Sequence, residues 1–491
     1  MAVADTTDAE LDAILDAADS AAEPLRHAPP TVLAAQLRAV ADALDANADE
    51  LVPIAERESH LPEARLRAEL ARTCYQLRMF AEVAVDGEHL QAIIDPADPG
   101  WELGPRPDIR RARQAIGPVL VFAASNFPFA FSVMGGDTAS ALAAGCPVVV
   151  KTSPGHPELS ERTARVAASA LRAAGAPAGT LQIITGVDVG ITALRDERVA
   201  AAAFTGSTAG GRALFDIANA RPNPIPFYGE LGSTNPVFVT ASAVAERGPA
   251  IAAGFVGSFT LGTGQFCTKP GVLFLPAGHG LTDDLVAATR AAAASDMLDD
   301  RIRGRFADGL DALTRDEATA TLASGSTEGP VAPSLLTASA TAVLDRPDEL
   351  LEECFGPMSM VVTYDGPDEL FALAEAFGGT LTATVHAEPG DTEVAVRLMR
   401  ILESRAGRIV WNGWPTGVAV GWAMHHGGPY PATTAPLHTS VGATAIERFL
   451  QPVCFQDVPD DLLPPALRDG NPLGVVRKVD GVLVAPTRKA P

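Results

Sequence analysis

The spacing of apolar residues in the first part of the chain predicts a layer of helices. Between about Asp8 and Val85, apolar positions recur at intervals of three and four, as in TVLAAQLRAVADALDANADELV. This spacing places the apolar side chains on one face of an α-helix. We therefore expect three amphipathic helices in this segment.

From Gly117 to Val239 the pattern changes to short apolar runs that alternate with alanine-rich helical segments. The runs VLVFAAS, PVVVK, LQII and VAAAAFTG each precede a helical pattern. The alternation resumes near Gly271, where VLFLP, MVVTY, LTATVH and RIVWN are the expected strands. Strands that alternate with helices form right-handed crossovers and parallel sheets buried on both faces. The pattern predicts two α/β domains, each with a parallel sheet.

Three further segments do not follow this alternation. The stretch from Arg106 to Phe122 has strand-like residues around a Gly-Pro break, which predicts a hairpin or strand pair that leaves the main body. The tail VVRKVDGVLVAP predicts a terminal strand that could pair with another subunit. The stretch from Arg301 to Pro333 is the longest with the character of a linker.

Composition and charge narrow the class of protein. The chain has 491 residues, of which 47% are hydrophobic and 20% charged, as in globular proteins with a sizeable core. The net charge of -23 argues against nucleic-acid binding, which needs a basic surface. Any anionic ligand must therefore be bound by hydrogen-bond donors or positive groups in its own site. The five cysteines form no disulfide pattern, and the N-terminus lacks the features of a signal peptide. No apolar run approaches the roughly 18 residues of a membrane span, so we expect a cytoplasmic protein.

One cysteine has neighbours that shape the backbone. Cys267 lies in LGTGQFCTKPGV, after a helical run, and is flanked by Gly262, Gly264 and Pro270. Glycines let the backbone approach a ligand and let the cysteine N–H point into a site. A cysteine reacts as the thiolate, so a nucleophile here needs polar or positive surroundings. From spacing alone, a nucleophile and a loop cysteine without function both remain open.

Two other polar residues are of the types that acyl chemistry uses. Glu230, in GELG, is a carboxylate in apolar surroundings, which predicts a pKa raised toward the range of a general base. Its alternative is a solvated turn glutamate. Asn126 follows an apolar strand, at the sheet edge where ligands bind, and its amide could donate to an oxyanion. Its alternative is an Asx-turn before Pro128.

Three motifs are candidate ligand sites. The strand-to-helix turn at Gly206 and Ser207 offers free N–H groups and a helix dipole to an anion such as pyrophosphate, although many such turns bind nothing. Lys151, directly after VVV, is either a solvated strand end or a donor to ligand hydroxyls. Glu353 and Phe355 precede a Gly-Pro turn, where adjacent acids are more often solvated than part of a site.

The chain has no GxGxxG string of the kind that opens an ordinary Rossmann fold. His425 and His426 suggest a metal, but adjacent histidines point apart and no carboxylate or cysteine stands at ligand spacing, so no metal is expected.

A cysteine hydrolase or acyltransferase without a redox cofactor is the alternative from a different class. It would need a histidine beside Cys267, and neither this pair nor His279 lies in a motif that suggests one.

Six motifs in order resemble the aldehyde dehydrogenase superfamily over nearly the whole chain: SNFP, VVVK, FTGS, YGELGSTNP, GQFC and EECFGP. The resemblance implies an α/β fold of aldehyde dehydrogenase type, with two parallel-sheet domains and a small β oligomerisation arm. It places the cofactor-binding domain in 1–104 and 118–231, the catalytic domain in 232–440, and the arm with its C-terminal strand in 105–117 and 441–491. A homodimer or homotetramer is implied as well.

The resemblance also implies a role for each candidate residue. Cys267 is the nucleophile, which forms a thiohemiacetal and then a thioester. Asn126 and the Cys267 N–H hold the oxyanion, and Glu230 activates water for deacylation. A nicotinamide cofactor, NADP or NAD, is expected. The residues expected to bind it are Lys151, Gly206, Ser207, Gly232, Glu353 and Phe355.

Longer strings, AFSVMGGDTASALAAGCPVVVK among them, resemble one branch of the family. That branch contains 2-oxoglutarate semialdehyde (2,5-dioxopentanoate) dehydrogenases and an NADP-linked fatty aldehyde dehydrogenase. Like that branch, the chain has Gly135-Gly136 where many superfamily members carry a lysine. A short oxo-acid aldehyde is the expected substrate, and a fatty or medium-chain aldehyde is the alternative. No single arginine in the sequence identifies itself as the partner of a substrate carboxylate.

Use of both cofactors is predicted from the residues that follow Lys151. NAD-preferring relatives have a glutamate a few residues after this lysine, whereas this chain has Thr152, Ser153 and Pro154. The missing carboxylate removes repulsion against the 2'-phosphate of NADP. The loop TGVDVGI, however, has no arginine to hold that phosphate.

Overall fold

The structure, a computed structural model, describes residues 4–485. Residues 1–3 of the predicted cofactor domain and 486–491 of the predicted arm lie outside the described residues. The helices, in chain order, are α1 (Asp8–Arg26), α2 (Pro30–Ala46), α3 (Ala48–Ser59), α4 (Glu63–Asp86), α5 (Gly136–Ala143), α6 (Pro157–Ala173), α7 (Val187–Arg195), α8 (Thr208–Asn219), α9 (Ala241–Thr260), α10 (Thr282–Ala291), α11 (Asp300–Arg315), α12 (Ala340–Asp345), α13 (Pro347–Leu350), α14 (Pro367–Ala376) and α15 (Thr392–Leu402).

The strands form three sheets. In chain order they are β1 (Ala92–Asp95), β2 (Ile109–Ala115), β3 (Val119–Phe122), β4 (Val148–Lys151), β5 (Leu181–Ile184), β6 (Ala201–Thr205), β7 (Phe227–Glu230), β8 (Val237–Val239), β9 (Val272–Pro276), β10 (Thr319–Ala323), β11 (Ser334–Ser339), β12 (Met358–Tyr364), β13 (Thr380–His386), β14 (Ala406–Trp411), β15 (Leu450–Gln456), β16 (Arg477–Val479) and β17 (Val482–Val484).

The N-terminal layer contains four helices, α1 to α4, where the apolar spacing predicted three. The difference arises at Asn47, which separates α2 from α3 with φ -105° and ψ 14°. Its side-chain Nδ2 donates to the carbonyl of Ala43 at 2.7 Å. A single residue with this geometry changes the direction of the chain without interrupting the apolar pattern, so the pattern could not reveal the break.

The first parallel sheet has the strand order β5-β4-β3-β6-β7. All four pairings in it are parallel, and the side chains of β3 are buried on both faces, as the continuous apolar runs predicted. Because parallel strands end at the same edge, Lys151 of β4 and Glu230 of β7 lie at one side of the sheet.

The second sheet has seven strands in the order β10-β11-β12-β9-β8-β13-β14. It is parallel except for the pair β10 and β11. The interpretation of Arg301 to Pro333 as a linker is wrong, because α11 and β10 lie in it and Phe306 is buried. Most of the charged residues of this stretch lie on the exposed face of α11.

The third sheet has the order β15-β2-β1-β16-β17. The predicted hairpin in Arg106 to Phe122 is wrong: β2 pairs with β1 and β15 in this sheet, whereas β3 belongs to the first parallel sheet. The Gly-Pro break at Gly117 therefore moves the chain from one sheet to another. Tail strand β16 runs parallel to β1 of the same chain, and β17 follows it as an exposed edge.

None of the helices within residues 4–485 combines the length and the apolar character that a bilayer crossing requires.

A buried ion pair ties the turn before β15 to α5. Arg448 Nη1 donates to Asp137 Oδ1 at 2.7 Å, and the two side chains are 3% and 11% exposed. Arg448 also donates to the Oγ of Ser140 at 3.2 Å and to the carbonyl of Ala445 at 3.1 Å. The pair connects the segment that leads into the arm with the core beside the first sheet.

Replacing Asp137 with alanine should lower the free energy of unfolding by about 3 to 5 kcal/mol, because it leaves the Arg448 guanidinium buried without its counter-ion. Denaturant or thermal unfolding of the purified protein measures this loss. The matched control is Asp216→Ala, which removes an exposed pair with Arg212 and should cost less than about 1 kcal/mol. Equal losses in the two variants would contradict the role given to the buried pair.

Candidate active site

Cys267 lies in a loop that follows α9 and a short turn, Leu261–Gly264. Gly262 and Gly264 have φ values of 57° and 65°, in the left-handed region that glycine adopts without strain. A side chain at Gly264 would also collide with the carbonyl of Gly356. The conformation of this loop therefore requires glycine at both positions.

Asn235, which lies just before β8 of the second sheet, holds this loop in place. Its Nδ2 donates to the carbonyls of Cys267 and Lys269, at 2.7 and 2.9 Å, and its side chain is fully buried. Asn235 was not among the residues predicted for the site. Its place in the same motif as Glu230, YGELGSTNP, is the feature of the sequence that could have indicated it.

The thiol meets two ionisable groups that come from distant parts of the chain. Cys267 Sγ lies 3.5 Å from His426 Nε2, and His426 Nε2 lies 2.9 Å from Glu230 Oε1. The Oγ of Ser440 donates to the other oxygen of Glu230. Glu230 is 3% exposed, so it is no solvated turn glutamate.

His426 was discounted in the sequence analysis, and the structure corrects this. The His425-His426 pair has no cysteine or carboxylate near it in sequence, but in the fold His426 has both. Donor atoms of Glu230, Cys267 and His426 lie within 4.8 Å of one another, so these groups could also hold a soft divalent cation such as zinc. His426 is moreover the thiol-paired histidine that was thought to be missing.

The pKa of Glu230 shifts opposite to the prediction. Burial raises the pKa of this carboxyl, but the charge and hydrogen bond of His426 and hydrogen bonds from Ser440 and Cys267 outweigh burial and lower it below the ordinary value. Burial raises the pKa of the Cys267 thiol well above its ordinary value, and the neighbouring Glu230 carboxylate raises it further. The resting cysteine is therefore a neutral thiol that needs a base before it can react.

Asn126 lies beside the cysteine loop, as an oxyanion donor would. Its Nδ2 donates to the carbonyl of Gln265, two residues before Cys267, at 3.0 Å. A side-chain amide carries two N–H groups, so one donor remains for a ligand. The side chain bonds to this loop and not to its own turn before Pro128. Its assignment as the oxyanion donor stays a prediction.

Most candidates for cofactor binding collect at the carboxyl edge of the first sheet. Lys151 ends β4, half-buried, and burial lowers its pKa. Gly206 follows β6, and Ser207 caps the N-terminus of α8 by accepting from the Gly210 N–H at 3.3 Å. The N-terminus of α8 thus lies at the same edge as Lys151, where a dinucleotide could bind.

Glu353 reaches this edge from the second sheet. A Cβ placed on Gly232 would lie 2.7 Å from both Glu353 Oε2 and Thr208 Oγ1, so the glycine makes room for the carboxylate beside the start of α8. Burial raises the pKa of Glu353 to about 7. Phe355 lies two residues further along, half-buried. This set fits a dinucleotide that is held from both sides.

Lys269 fixes the loop that carries Glu353, and the sequence analysis missed it. It is 2% exposed, and its Nζ donates to the carbonyls of Cys354 and Met358 at 2.7 and 2.8 Å. Because Lys269 stands two residues after Cys267, it joins the nucleophile loop to the Glu353 loop. Nothing in TKPG distinguishes such a buried lysine from a solvated turn residue.

Comparisons with known proteins agree with this geometry. The family model described as "Aldehyde dehydrogenase family" matches residues 1–451. α-Ketoglutaric semialdehyde dehydrogenase 2 of Azospirillum brasilense is 46% identical over 481 residues, which cover 96% of this chain and 91% of that protein. An α-ketoglutaric semialdehyde dehydrogenase of Acinetobacter baylyi is 43% identical over 440 residues, 88% of this chain and 84% of that protein.

Among solved structures, a succinic semialdehyde dehydrogenase from Streptococcus pyogenes, in complex with NADP+, superimposes with a TM-score of 0.76. It is 18% identical, and the match covers 93% of this chain and 96% of that one, so it shows the fold alone. The expected fold class, two parallel-sheet α/β units of aldehyde dehydrogenase type, is confirmed. The chain belongs to the aldehyde dehydrogenase family. It is an NAD(P)-dependent enzyme that oxidises an aldehyde.

The pKa of Cys267 gives a direct test of the site. Replacing Glu230 with glutamine should lower that pKa, because the carboxylate charge that opposes thiolate formation is gone. Alkylation by iodoacetamide, followed against pH without cofactor, should then reach half its maximal rate at lower pH than in the parent. Both proteins carry Cys454→Ser, which removes the exposed cysteine; Cys74, Cys146 and Cys354 are buried. An unchanged pH profile would show that Glu230 does not control the thiol.

Proposed function

We propose that this aldehyde dehydrogenase oxidises 2-oxoglutarate semialdehyde (2,5-dioxopentanoate) to 2-oxoglutarate through a thioester on Cys267. The observation that carries the mechanism is the contact of Cys267 Sγ with His426 Nε2 at 3.5 Å, next to the His426–Glu230 contact at 2.9 Å. The names of the relatives from Azospirillum brasilense and Acinetobacter baylyi, at 46% and 43% identity, support the substrate.

In the first half of the reaction, the Glu230–His426 pair removes the proton of the Cys267 thiol. The sulfur attacks the aldehyde carbon, and the carbonyl oxygen becomes the oxyanion of a thiohemiacetal. The free N–H of Asn126 and the Cys267 backbone N–H stabilise this charge, and one such donor is worth about 3 kcal/mol. When bound, the nicotinamide dinucleotide supplies the two-electron oxidant that turns the thiohemiacetal into a thioester.

In the second half, after the thiol proton has passed from the pair to solvent, the same pair acts on water. Glu230 accepts a proton from water, and the hydroxide attacks the thioester carbonyl. The acid leaves, and the proton held by the pair returns to the Cys267 sulfur. The lowered pKa of Glu230 keeps the carboxylate ionised, which is the form that accepts a proton from water.

On the cofactor side, we propose that Lys151 binds the adenosine ribose, the Gly206-Ser207 turn the pyrophosphate, and Glu353 the nicotinamide ribose. Gly232 leaves the space that Glu353 occupies, and Phe355 packs near the nicotinamide. Use of both NAD and NADP is supported by the charges around Lys151. Burial lowers the pKa of this lysine, the charge of Arg301 lowers it further, and that of Asp5 raises it, so groups of both signs act on this position. Asp5 would favour a ribose diol, and Arg301 would favour a 2'-phosphate.

Both cofactors should be used with kcat/KM values within about a hundredfold of each other, equivalent to about 2.7 kcal/mol. Asp5→Asn should shift the ratio toward NADP, and Arg301→Met toward NAD. Initial rates followed by absorbance of the reduced nicotinamide measure both shifts. Asp8→Asn, at the start of α1, is the control that should leave the ratio unchanged. A wild-type preference beyond a hundredfold would contradict dual use.

We further propose that the chain forms a homodimer or homotetramer through its arm sheet and works in the cytoplasm. Edge strand β17 exposes Val482, Leu483 and Val484 by 65%, 70% and 43%, and an exposed apolar edge strand favours pairing with another chain. All five cysteines are free, which agrees with a reducing compartment.

The substrate assignment is tested with a panel of aldehydes and either cofactor. The kcat/KM for 2,5-dioxopentanoate should exceed that for pentanal and for longer alkyl aldehydes by at least about tenfold, since only the oxo-acid carries a carboxylate for the site to bind. Cys267→Ala should abolish reduction of the cofactor with every aldehyde. A higher value for the alkyl series would reject the oxo-acid and favour a fatty or medium-chain aldehyde dehydrogenase.

A further inference from the structure

Helix α4 presents three charged residues to the active-site loops from one face. Arg65, Glu69 and Arg72 are spaced four and three residues apart, so they lie on the same side of the helix. Arg65 Nη2 donates to the carbonyl of Asn126 at 3.0 Å, and Glu69 Oε1 accepts from the N–H groups of Phe129 and Ala130 at 2.8 and 3.0 Å. This face of α4 therefore packs against the segment that begins with the proposed oxyanion donor.

The two arginines of this face keep unused donors. Nη1 of Arg65 and Nη1 of Arg72 are buried from solvent without a hydrogen-bond partner. Within residues 4–485, neither guanidinium forms an ion pair of 4.0 Å or less with a carboxylate, and Oε2 of Glu69 is also buried without a hydrogen-bond partner. A buried N–H group without a partner costs free energy, so such a group calls for a ligand that pairs with it.

A row of aromatic rings connects these donors to the nucleophile. Phe266, next to Cys267, lies 5.1 Å from Phe127, and Phe127 lies 5.3 Å from Phe131, measured between ring centroids. The Arg65 guanidinium lies over Phe266 at 4.8 Å, and that of Arg72 over Phe131 at 5.4 Å. Burial lowers the pKa of Arg72, and the charge of Glu69, followed by those of Cys267 and Glu230, acts in the opposite direction, so this arginine lies within electrostatic range of the reacting sulfur.

Gly136 lies beside the arginine-bearing helix. A Cβ on Gly136 would lie 3.2 Å from Gln76 Nε2, whereas one on Gly135 would lie 2.6 Å from the carbonyl of Ala130, in its own segment. Gln76 stands four residues after Arg72 on α4, so a side chain at Gly136 would press on the end of the Gln76 side chain. The segment after Asn126 and the helix that carries Arg72 therefore approach each other at Gly136.

We propose that Arg72, with Arg65 beside it, binds the carboxylate of the substrate while the aldehyde carbon lies at Cys267. This inference rests on the proposed oxidation of an oxo-acid aldehyde. A guanidinium pairs with a carboxylate through two parallel hydrogen bonds, and the rings of Phe127 and Phe131 accommodate the methylene groups between the two ends of the substrate. An alkyl aldehyde of the same length would leave the guanidinium unpaired, so the site discriminates against it.

Arg408 is the competing candidate, because its charge also influences the pKa of Cys267. Its guanidinium already donates to the carbonyls of Gly417 and Pro415, at 3.1 and 2.5 Å. It therefore holds the loop after β14 with both of its Nη groups. Its Nε is also buried without a partner, but Arg408 has fewer free donors to offer a ligand than Arg72. Arg72 makes no such bond within the described part of the chain.

The kinetic test compares Arg72→Met with the parent on 2,5-dioxopentanoate and on pentanal. The ratio of kcat/KM for the two aldehydes should fall about 100-fold, mostly through a higher KM for the oxo-acid. In Arg72→Lys this ratio should fall less than in Arg72→Met, because lysine keeps the positive charge but cannot form the bidentate contact. Arg67→Met, on the exposed face of the same helix, should leave the ratio unchanged. Arg65→Met should lower both values, because Arg65 also holds the Asn126 carbonyl.

A second measurement requires no turnover. In a Cys454→Ser background, 2-oxoglutarate should slow alkylation of Cys267 by iodoacetamide, and Arg72→Met should abolish that protection. Preference of the parent for pentanal would overturn the proposed substrate, whatever Arg72 does. Two other outcomes would overturn the assignment of Arg72 but leave the proposed function standing, provided that the parent prefers the oxo-acid. In the first, Arg72→Met leaves the ratio of kcat/KM for the two aldehydes unchanged. In the second, Arg408→Met, and not Arg72→Met, lowers that ratio.

Discussion

The active site depends on a buried contact between a thiol, Cys267, and a carboxylate, Glu230. In such a site the two groups cannot both carry a negative charge unless a third group stabilises them. Ionisation of Cys267 beside Glu230 would bring two negative charges within a few ångströms, and low polarity around them strengthens that repulsion. His426, between them, is the group that resolves the conflict, because it can carry the proton that leaves the sulfur. The thiol therefore becomes a nucleophile only when the proton has a place to go.

This constraint explains why the site is built from distant segments. Glu230 ends β7 of the first sheet, Cys267 follows α9, and His426 and Ser440 belong to a stretch that returns over β7 late in the chain. That return is fixed by a bridge between Glu230 and Thr433, and by the Leu231 N–H, which donates to the carbonyl of Ala432 at 2.8 Å. Backbone contacts thus hold the stretch that carries His426 against β7, in addition to the side-chain contacts of the site.

Much of the fold could be predicted from apolar periodicity, because buried parallel strands such as β3 and β4 are continuous apolar runs. Periodicity could not show that Asn47 divides a helical pattern, or that β2 and β3 enter different sheets, because both depend on backbone geometry at single residues. Cys267, Glu230 and Asn126 could be singled out as candidates because glycines or a strand end mark them locally. His426 was discounted because its contacts with Cys267 and Glu230 arise from tertiary proximity, which spacing along the chain does not encode.

The negative net charge of the molecule makes the binding of an anionic substrate depend on arginines inside the site. With a net charge of -23, the surface tends to repel an anionic substrate, although salt screens this repulsion beyond about 8 Å. Attraction must then come from groups that act at short range inside the site, where screening is weak. The guanidiniums of Arg65 and Arg72 are held over aromatic rings, and Glu69 uses one oxygen on backbone N–H groups of the neighbouring loop. An acidic protein can in this way reserve positive charge for the one place where a carboxylate has to bind.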